Sequence, residues 1–435
     1  MWHFKETFEW CFFMNRPSFE NGSYLSTMKT IFRAYKFRIY PNVSQQELLG
    51  HHFGCCRFVY NYFLDLRNKN YLELNQKTTY FDCATKLTNL KKEEEYSWLK
   101  KVNSQSLQHT IRHLDVAFGN FFQKRTKFPR FKKKQDKQSF VVPQFFSVDE
   151  NLGELHLPKF KEGLKIKIHR KIKGDIRHVT ISKTPSGKYF ASLTCEQEYA
   201  EFEPTGSKIG VDVGIKDLAI LSDGTKFRNH KFLKRSLKKL KYNQRQLSKK
   251  VKDSKSRNRQ RLKLSRIYEK VSNCRLDMLH KVTTEIVKNH DVICVESLAA
   301  LNMLKNHVLA QVLSDASIGR FFSMLEYKAE WNNRTLVKID RWYPSSKNCS
   351  CCNTINQNLT LKDRSWTCRS CGTVHDRDIN AAKNILTQGL KLWSGPGTGS
   401  DPKQKQVEPP KKYLLRKSKD SQSKTGAMKP EARDL

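Results

Sequence analysis

The chain has 435 residues, enough for two or three domains with cores of their own. Its 81 Lys and Arg outweigh 42 Asp and Glu, for a formal charge of +39, so a polyanion is the expected partner, with nucleic acid leading. Twelve scattered or closely paired cysteines point to a reducing compartment and away from a disulfide framework, and no apolar run reaches the roughly 20 residues of a membrane span.

Residues 1–27 hold a short apolar run, Trp10-Cys-Phe-Phe-Met14, flanked by acids. That makes a poor signal peptide, and the segment reads as a disordered extension outside the fold. Residues 29–40 alternate apolar and basic side chains, a strand pattern. Ser44-Gln-Gln-Glu47 reads as a capping box. Helical periodicity then runs to about residue 127, which makes 42–138 a helical lobe. Strand-like runs follow at 139–142, 154–157, 164–168, 176–182 and 189–196, with Pro185-Ser-Gly187 as a hairpin turn. With 29–40 they are expected to close a β-barrel into which the helical lobe is inserted.

Past a linker at 203–207, Lys208-Ile-Gly-Val-Asp212 is a short buried-type strand, paired across a turn with 218–221. Between 231 and 290 the pattern predicts a helical hairpin. Its first arm keeps Leu233, Leu237, Leu240, Leu247 and Val251 at near-heptad spacing, and Asp253-Ser-Lys-Ser256 breaks it. From 231 to 270 the only acids are Asp253 and Glu269, amid many Lys and Arg. A one-signed run favours phosphate contact over an ordinary solvated face. Val292-Ile-Cys-Val295 is an apolar strand ending on Glu296, followed by a helix at 318–333 and a strand at 335–339. A last helix starts near Arg377, and the Gly-, Pro-, Lys- and Ser-rich tail from 395 reads as disordered.

Position singles out three acids. Asp212 and Glu296 each close an apolar strand, and Asp378 opens a helix whose Ala381, Ala382 and Ile385 suit packing on a sheet. Taken alone, the first two read as strand-end turn residues and the third as a helix-dipole partner. Together they read as a ribonuclease H-like cluster, whose converging carboxylates need a cation. Hard oxygen donors suit Mg²⁺ or Mn²⁺, and two such ions serve phosphodiester hydrolysis. Asp376 competes with Asp378, and Arg377 and Asn380 are placed to steady the carboxylate.

Cys349 and Cys352, then Cys368 and Cys371, form two C-x-x-C pairs with fifteen residues between them, the spacing of a structural zinc site. Cys351 adds a register ambiguity. Lys362, Arg364, Trp366 and Arg369 within this ribbon suit nucleic-acid contact.

Several ordered motifs resemble the TnpB (OrfB) family of insertion-sequence transposons, relatives of type V CRISPR effector nucleases. They include Arg33-Ala-Tyr-Lys-Phe-Arg-Ile-Tyr-Pro41, Gly54-Cys-Cys-Arg-Phe-Val-Tyr-Asn61, Phe128-Pro-Arg-Phe-Lys132, Ile209-Gly-Val-Asp-Val-Gly214, Val295-Glu-Ser-Leu298, Tyr343-Pro-Ser-Ser346, the Cys pairs and Asp376-Arg-Asp-Ile-Asn-Ala-Ala382. The resemblance spans about 29–388. It implies a multidomain α+β chain: a wedge β-barrel (28–41 and 139–203), a helical recognition lobe (42–138), a RuvC-like nuclease (204–345 and 375–394) and a zinc ribbon (346–374). It also implies RNA-guided DNA cleavage with a transposon-end guide RNA, one Zn²⁺ and two Mg²⁺. A partner transposase of the same element and a nucleoid-associated place in a prokaryotic cytoplasm go with it.

The family's catalytic acids carry over onto Asp212, Glu296 and Asp378, which favours Asp378 over Asp376. Candidate nucleic-acid contacts are Lys36, Arg38, Arg57, Asn61, Arg245, Lys249, Arg257, Arg261 and Arg369, although Arg57 and Asn61 read equally as packing positions. Residues 1–27 and Cys351 are extra to the pattern. Asn353 stands where Gly is usual, which loosens the expected first knuckle. The rival readings are a non-cutting RNA-guided DNA-binding regulator and a transposase accessory protein.

Overall fold

A computed structural model of the chain describes residues 29–298, 307–360 and 362–394. The expectations for 1–27 and for the tail from 395 lie outside the described residues. Strand β1 (Lys29–Ile39) buries Ile31, Tyr35, Phe37 and Ile39 on one face, as its alternation requires. It pairs antiparallel along its whole length with β7 (Tyr189–Tyr199). With β2 (Gln138–Val142), β3 (Ser147–Asp149), β4 (Glu154–His156), β5 (Leu164–Lys167) and β6 (Asp175–Lys183) it makes a seven-stranded sheet of order β2-β6-β7-β1-β5-β4-β3. Among the described residues no ladder joins β2 to β3, so the sheet these strands form is seen as a curled run rather than a hydrogen-bonded closed barrel. Helices pack against β2 on its buried face, where Phe140 meets His52 and Phe53.

Those helices stand between β1 and β2 in the chain: α1 (Val43–Leu74), α2 (Tyr80–Leu90), a 3₁₀ segment (Glu94–Lys101) and α3 (Ser104–Phe122). The capping box lies two residues earlier than expected. Asn42 caps α1 with Gln45 as its reciprocal partner, and Ser44 donates to the Asn42 side chain. Leu49, Phe53, Phe63, Leu107 and Leu114 share one core with Phe37, Val179 and Leu193 of the sheet.

A second sheet has the order β10-β9-β8-β11-β12. Its members are β8 (Lys208–Asp212), β9 (Asp217–Leu221), β10 (Lys226–Arg228), β11 (Val292–Glu296) and β12 (Thr335–Ile339). β9 is antiparallel to β8, whereas β11 runs parallel to both β8 and β12. The connections carry α4 (Phe232–Ser248), α5 (Lys255–Asn289), α6 (His307–Ala316) and α7 (Ile318–Trp331). One face of the sheet presents Ile209, Val211, Ile293 and Val295 to Leu279, Ile286, Phe321 and Leu325 of α5 and α7. Each such burial contributes about 1.5–3 kcal/mol.

The other face receives α8 (Arg377–Trp393), with Ile385 against Val292, Cys294 and Ile339. Two glycines allow this close approach. A Cβ on Gly210 would collide with the Ala382 carbonyl, and one on Gly389 with the Cys294 side chain.

In the α4–α5 hairpin only Leu240 of the expected near-heptad series is buried; Val251 lies past the helix and is 77% exposed. The chain reverses at Asp253, which takes a positive φ of 64°, and Ser254 caps α5. A small ribbon of β13 (Ser365–Thr367) and β14 (Val374–Asp376) has a core of its own around Cys349, Leu359, Trp366 and Cys368. Among the described residues no helix is long and apolar enough to cross a membrane.

Candidate functional site

Parallel pairing matches Cys294 with Gly210 and Val295 with Val211. Glu296 and Asp212 are the next residues on their strands, so they lie side by side at the C-terminal ends of β11 and β8. Period-two alternation sends both toward the face that α8 crosses. Asp378 sits in the first turn of α8. Burial, together with the charges of Asp378 and Glu296, pushes the Asp212 carboxyl up to about 7, against the opposing pull of Arg377 and the Val213 backbone N–H. Burial also raises Glu296; a hydrogen bond from Ser345 opposes this, and the charge of Asp340 adds to it. The charges of Asp378 and Glu296 both act on Asp212, without the three carboxylates closing into a tight cage. Among the described residues, the only ligand groups with every donor atom within 4.8 Å contain cysteine.

Asp376 and Asp378 are held differently. Asp376 caps α8 by accepting from the backbone N–H groups of Asp378 and Ile379, and Lys226 Nζ lies 2.7 Å from its Oδ2. Burial acts to raise the Asp376 carboxyl, but Lys226 and the helix N–H groups outweigh it and hold it below the usual range. Asp378 has a looser neighbour, Arg364 Nη1 at 3.4 Å. Arg377 supports Asp212 by its charge, but among the described residues the hydrogen bonds of Arg377 and Asn380 go to backbone rather than to a carboxylate of the cluster. Arg377 donates to the Thr360 carbonyl, while Asn380 accepts from Ser350 N–H and donates to the Asn348 carbonyl.

Asn384, one turn further along α8, donates to the Ser345 and Asn348 carbonyls at 2.8 and 2.6 Å. The sequence reading missed Asn384 and Ser345. Their available signals were a second Asn at i+4 on an otherwise apolar helix face and the Tyr343-Pro-Ser-Ser346 motif itself.

The four paired cysteines converge. Cys349 and Cys371 Sγ atoms are 3.6 Å apart, as are those of Cys352 and Cys368. Four sulfurs around a tetrahedral zinc at about 2.3 Å would stand about 3.8 Å from one another, so the set fits that ion and is far too open for disulfides. The two loops match bond for bond. Asn353 N–H reaches the Cys349 carbonyl and Gly372 N–H the Cys368 carbonyl, both at 2.9 Å. Asn353 takes φ 62° and Gly372 φ 71°. Asn tolerates this left-handed region, so the first knuckle is as tight as the second. Hydrogen bonds from the Thr354 hydroxyl and backbone lower the Cys352 thiol to about 6, whereas burial pushes Cys349 up to about 12. His375 Nε2 lies 3.1 Å from Cys349 Sγ, and with exposed Cys351 these two form an alternative ligand group.

The candidate nucleic-acid residues divide. Arg245, Lys249, Arg261 and Arg369 are exposed, and Lys36 and Arg38 flank the Phe190 ring. Arg57 makes one long contact, 3.5 Å to Gln138. Asn61 holds the Lys132 backbone in both directions, and Arg257 donates to the Leu247 and Lys250 carbonyls at the end of α4. Both therefore have packing roles, because polar side chains near loose backbone ends satisfy it first.

Three family profiles match: "Probable transposase" over residues 192–307, "Cas12f1-like, TNB domain" over 319–385 and "Helix-turn-helix domain" over 28–77. Over the described part of that last span the structure has β1 and a single long helix, α1. A Streptomyces pristinaespiralis protein, "Putative RNA-guided DNA endonuclease", is 40% identical over 83% of this chain and 90% of its own length. Its Escherichia coli counterpart of the same name, InsQ, is 34% identical over 82% and 92%. A solved mini-RNA-guided endonuclease, CRISPR-Cas_phi3, covers 83% of this chain and 92% of its own at 10% identity, with a TM-score of 0.43. On its full-length relatives and its matched profiles, the chain belongs to the TnpB/OrfB family of transposon-encoded proteins.

Proposed function

We propose that this protein is an RNA-guided, metal-dependent DNA endonuclease with Asp212, Glu296 and Asp378 as its catalytic acids. The observation that carries the reading is the parallel register that sets Glu296 beside Asp212 at the ends of β11 and β8, with Asp378 of α8 near enough for its charge to act on Asp212. Such crowding is unfavourable in the bare protein and suits a hard divalent cation, because every donor is oxygen. Two Mg²⁺ or Mn²⁺ ions bound there would activate water and stabilise the leaving oxygen of a phosphodiester. The chain's own part is to hold Asp212 and Glu296 in strand register, to bring Asp378 in on α8, and to keep Asp376 occupied with the helix cap and Lys226. Cleavage would leave 5′-phosphate and 3′-hydroxyl ends.

The seven-stranded sheet with its helices would serve as wedge and recognition lobe, with the basic α4–α5 hairpin gripping a guide–target heteroduplex by its phosphates while base pairing supplies specificity. A structural zinc on Cys349, Cys352, Cys368 and Cys371 belongs to the same reading. Transposon-end RNA and target DNA are the partners it requires, in a prokaryotic cytoplasm. The names of the relatives support DNA cutting over the regulator alternative, and none of the three acids is lost here. Plasmid cleavage with co-purified RNA tests the assignment. Asp212→Ala should lower the rate by about a thousandfold, equal to about 4 kcal/mol of barrier. Cutting at the wild-type rate would remove Asp212 from the site.

A further inference from the structure

An open cleft lies just past Asp212 and has no part in the acid cluster. Lys216, Arg228, Lys231, Lys234 and Arg235 line it, with Asp217 as its only acid. The side chains of these five cations make no ion pair or hydrogen bond to the protein among the described residues, whereas nearby Lys226 is paired with Asp376. Five unpaired cations in one concavity repel one another unless an anion sits among them.

The floor of the cleft is built. Asn229 is 5% exposed, donates to the Ile215 carbonyl at 2.9 Å and accepts from Lys231 N–H at 3.2 Å. It fastens the loop that leaves Asp212 to the start of α4, and Lys231 there takes a strained positive φ of 49°. The second and third N–H groups of α4 are already satisfied. Buried Asp315 accepts from Leu233 and Lys234 N–H at 3.0 and 3.1 Å, and Arg275 pairs with it at 2.9 Å. A ligand in the cleft would therefore meet cationic side chains, not a free helix end.

The geometry points to this cleft as the phosphate seat for the DNA strand that crosses Asp212, an inference that rests on the nuclease reading above. Lys216 is four residues beyond Asp212, so their Cα atoms are at most about 14 Å apart. A DNA strand's backbone covers that distance within a few nucleotides. A strand placed over the acids for cutting would have flanking phosphates within reach of these cations, which would set the side on which it leaves.

The probe is a fluorescent single-stranded oligo-dT, titrated onto the protein–RNA complex at several salt concentrations. Asp212→Ala serves as the parent, so that nothing is cut. Adding Lys216→Gln, Lys234→Gln and Arg235→Gln, all at exposed positions, should flatten the slope of log affinity against log salt by about 2, since each single-strand phosphate contact contributes about 0.7. Affinity at low salt should fall at least about tenfold, with the yield of co-purified RNA unchanged. An unchanged slope and affinity would overturn the seat. Loss of bound RNA with intact oligo-dT binding would also overturn it, by handing the cleft to the guide. Wild-type plasmid cutting is scored separately. If the slope flattens but wild type never cuts, the nuclease reading fails and the seat stands; if wild type cuts and the slope holds, the reverse is true.

Discussion

The cysteine site and the acid site sit beside each other but are assembled differently. All four sulfurs come from two matching loops of one ribbon, each closed by its own backbone hydrogen bonds. The three carboxylates come from two strands and a helix that meet only because one sheet forms in the correct register. A local site needs only its spacing, whereas a distributed site needs a whole layer of packing to exist. The two are joined through α8, whose buried Asn380 and Asn384 hold the Asn348–Ser350 backbone beside the first knuckle, while its first turn carries Asp378.

Of the tests that bear on this contrast, that junction predicts the largest effect. Cys368→Ser should lose its zinc by elemental analysis, since removing a structural ligand leaves an incomplete site. With the first knuckle loosened, Asn380 and Asn384 lose fixed partners, and plasmid cleavage should fall by about a hundredfold or more, or about 3 kcal/mol. Full cleavage in a folded, zinc-free variant would separate the two sites.

Gly210→Ala attacks the distributed site alone. The added methyl meets the Ala382 carbonyl, so α8 must shift off β8. Overpacking of this kind costs about 1–3 kcal/mol. The expected result is a lower thermal midpoint and slower cutting with zinc content intact; a variant with wild-type melting and wild-type activity would show that the close approach is dispensable.

The smallest effect is a pH dependence. The folded Asp212 carboxyl titrates near 7, above its unfolded range, so between ordinary carboxylate values and about pH 7 the folded state binds the extra proton. Stability from this group is therefore present at low pH and declines as pH rises through 7. In chelator the melting temperature should drop between pH 5 and pH 8 by more in wild type than in Asp212→Asn. Mg²⁺ should restore more of it at pH 8 than at pH 5. Equal pH profiles for the two proteins would mean that the carboxylates do not press on one another.

Much of the candidate site was legible because two periodicities survive in the sequence. Asp212 and Glu296 each end a short apolar run, and strands of that kind belong to a sheet buried on both faces. The knuckles were legible from spacing alone. Asn353 was read as a weakness because a residue type does not reveal that it will adopt φ 62°. Alternation told which of the longer runs form strands, but not their order in the sheet, nor that Phe140 of β2 would pack against His52 and Phe53 of α1. For Asn61, which read equally as a packing position, and for Arg257 the packing partner was not legible: a polar side chain on a helix looks free until the backbone it satisfies arrives from elsewhere.

By itself, then, the chain's sequence determined the longer strands, most of the helices, the basic balance and the two cysteine pairs, because these rest on local pattern and composition. The tertiary structure alone decided that Glu296 stands beside Asp212, that Asp376 is taken up by its helix cap and Lys226 while the charge of Asp378 acts on Asp212, and that Lys216 and Arg235 share one cleft. Register, close helix approach at Gly210 and hydrogen bonds between distant segments are properties of packing, and no window of sequence contains both partners.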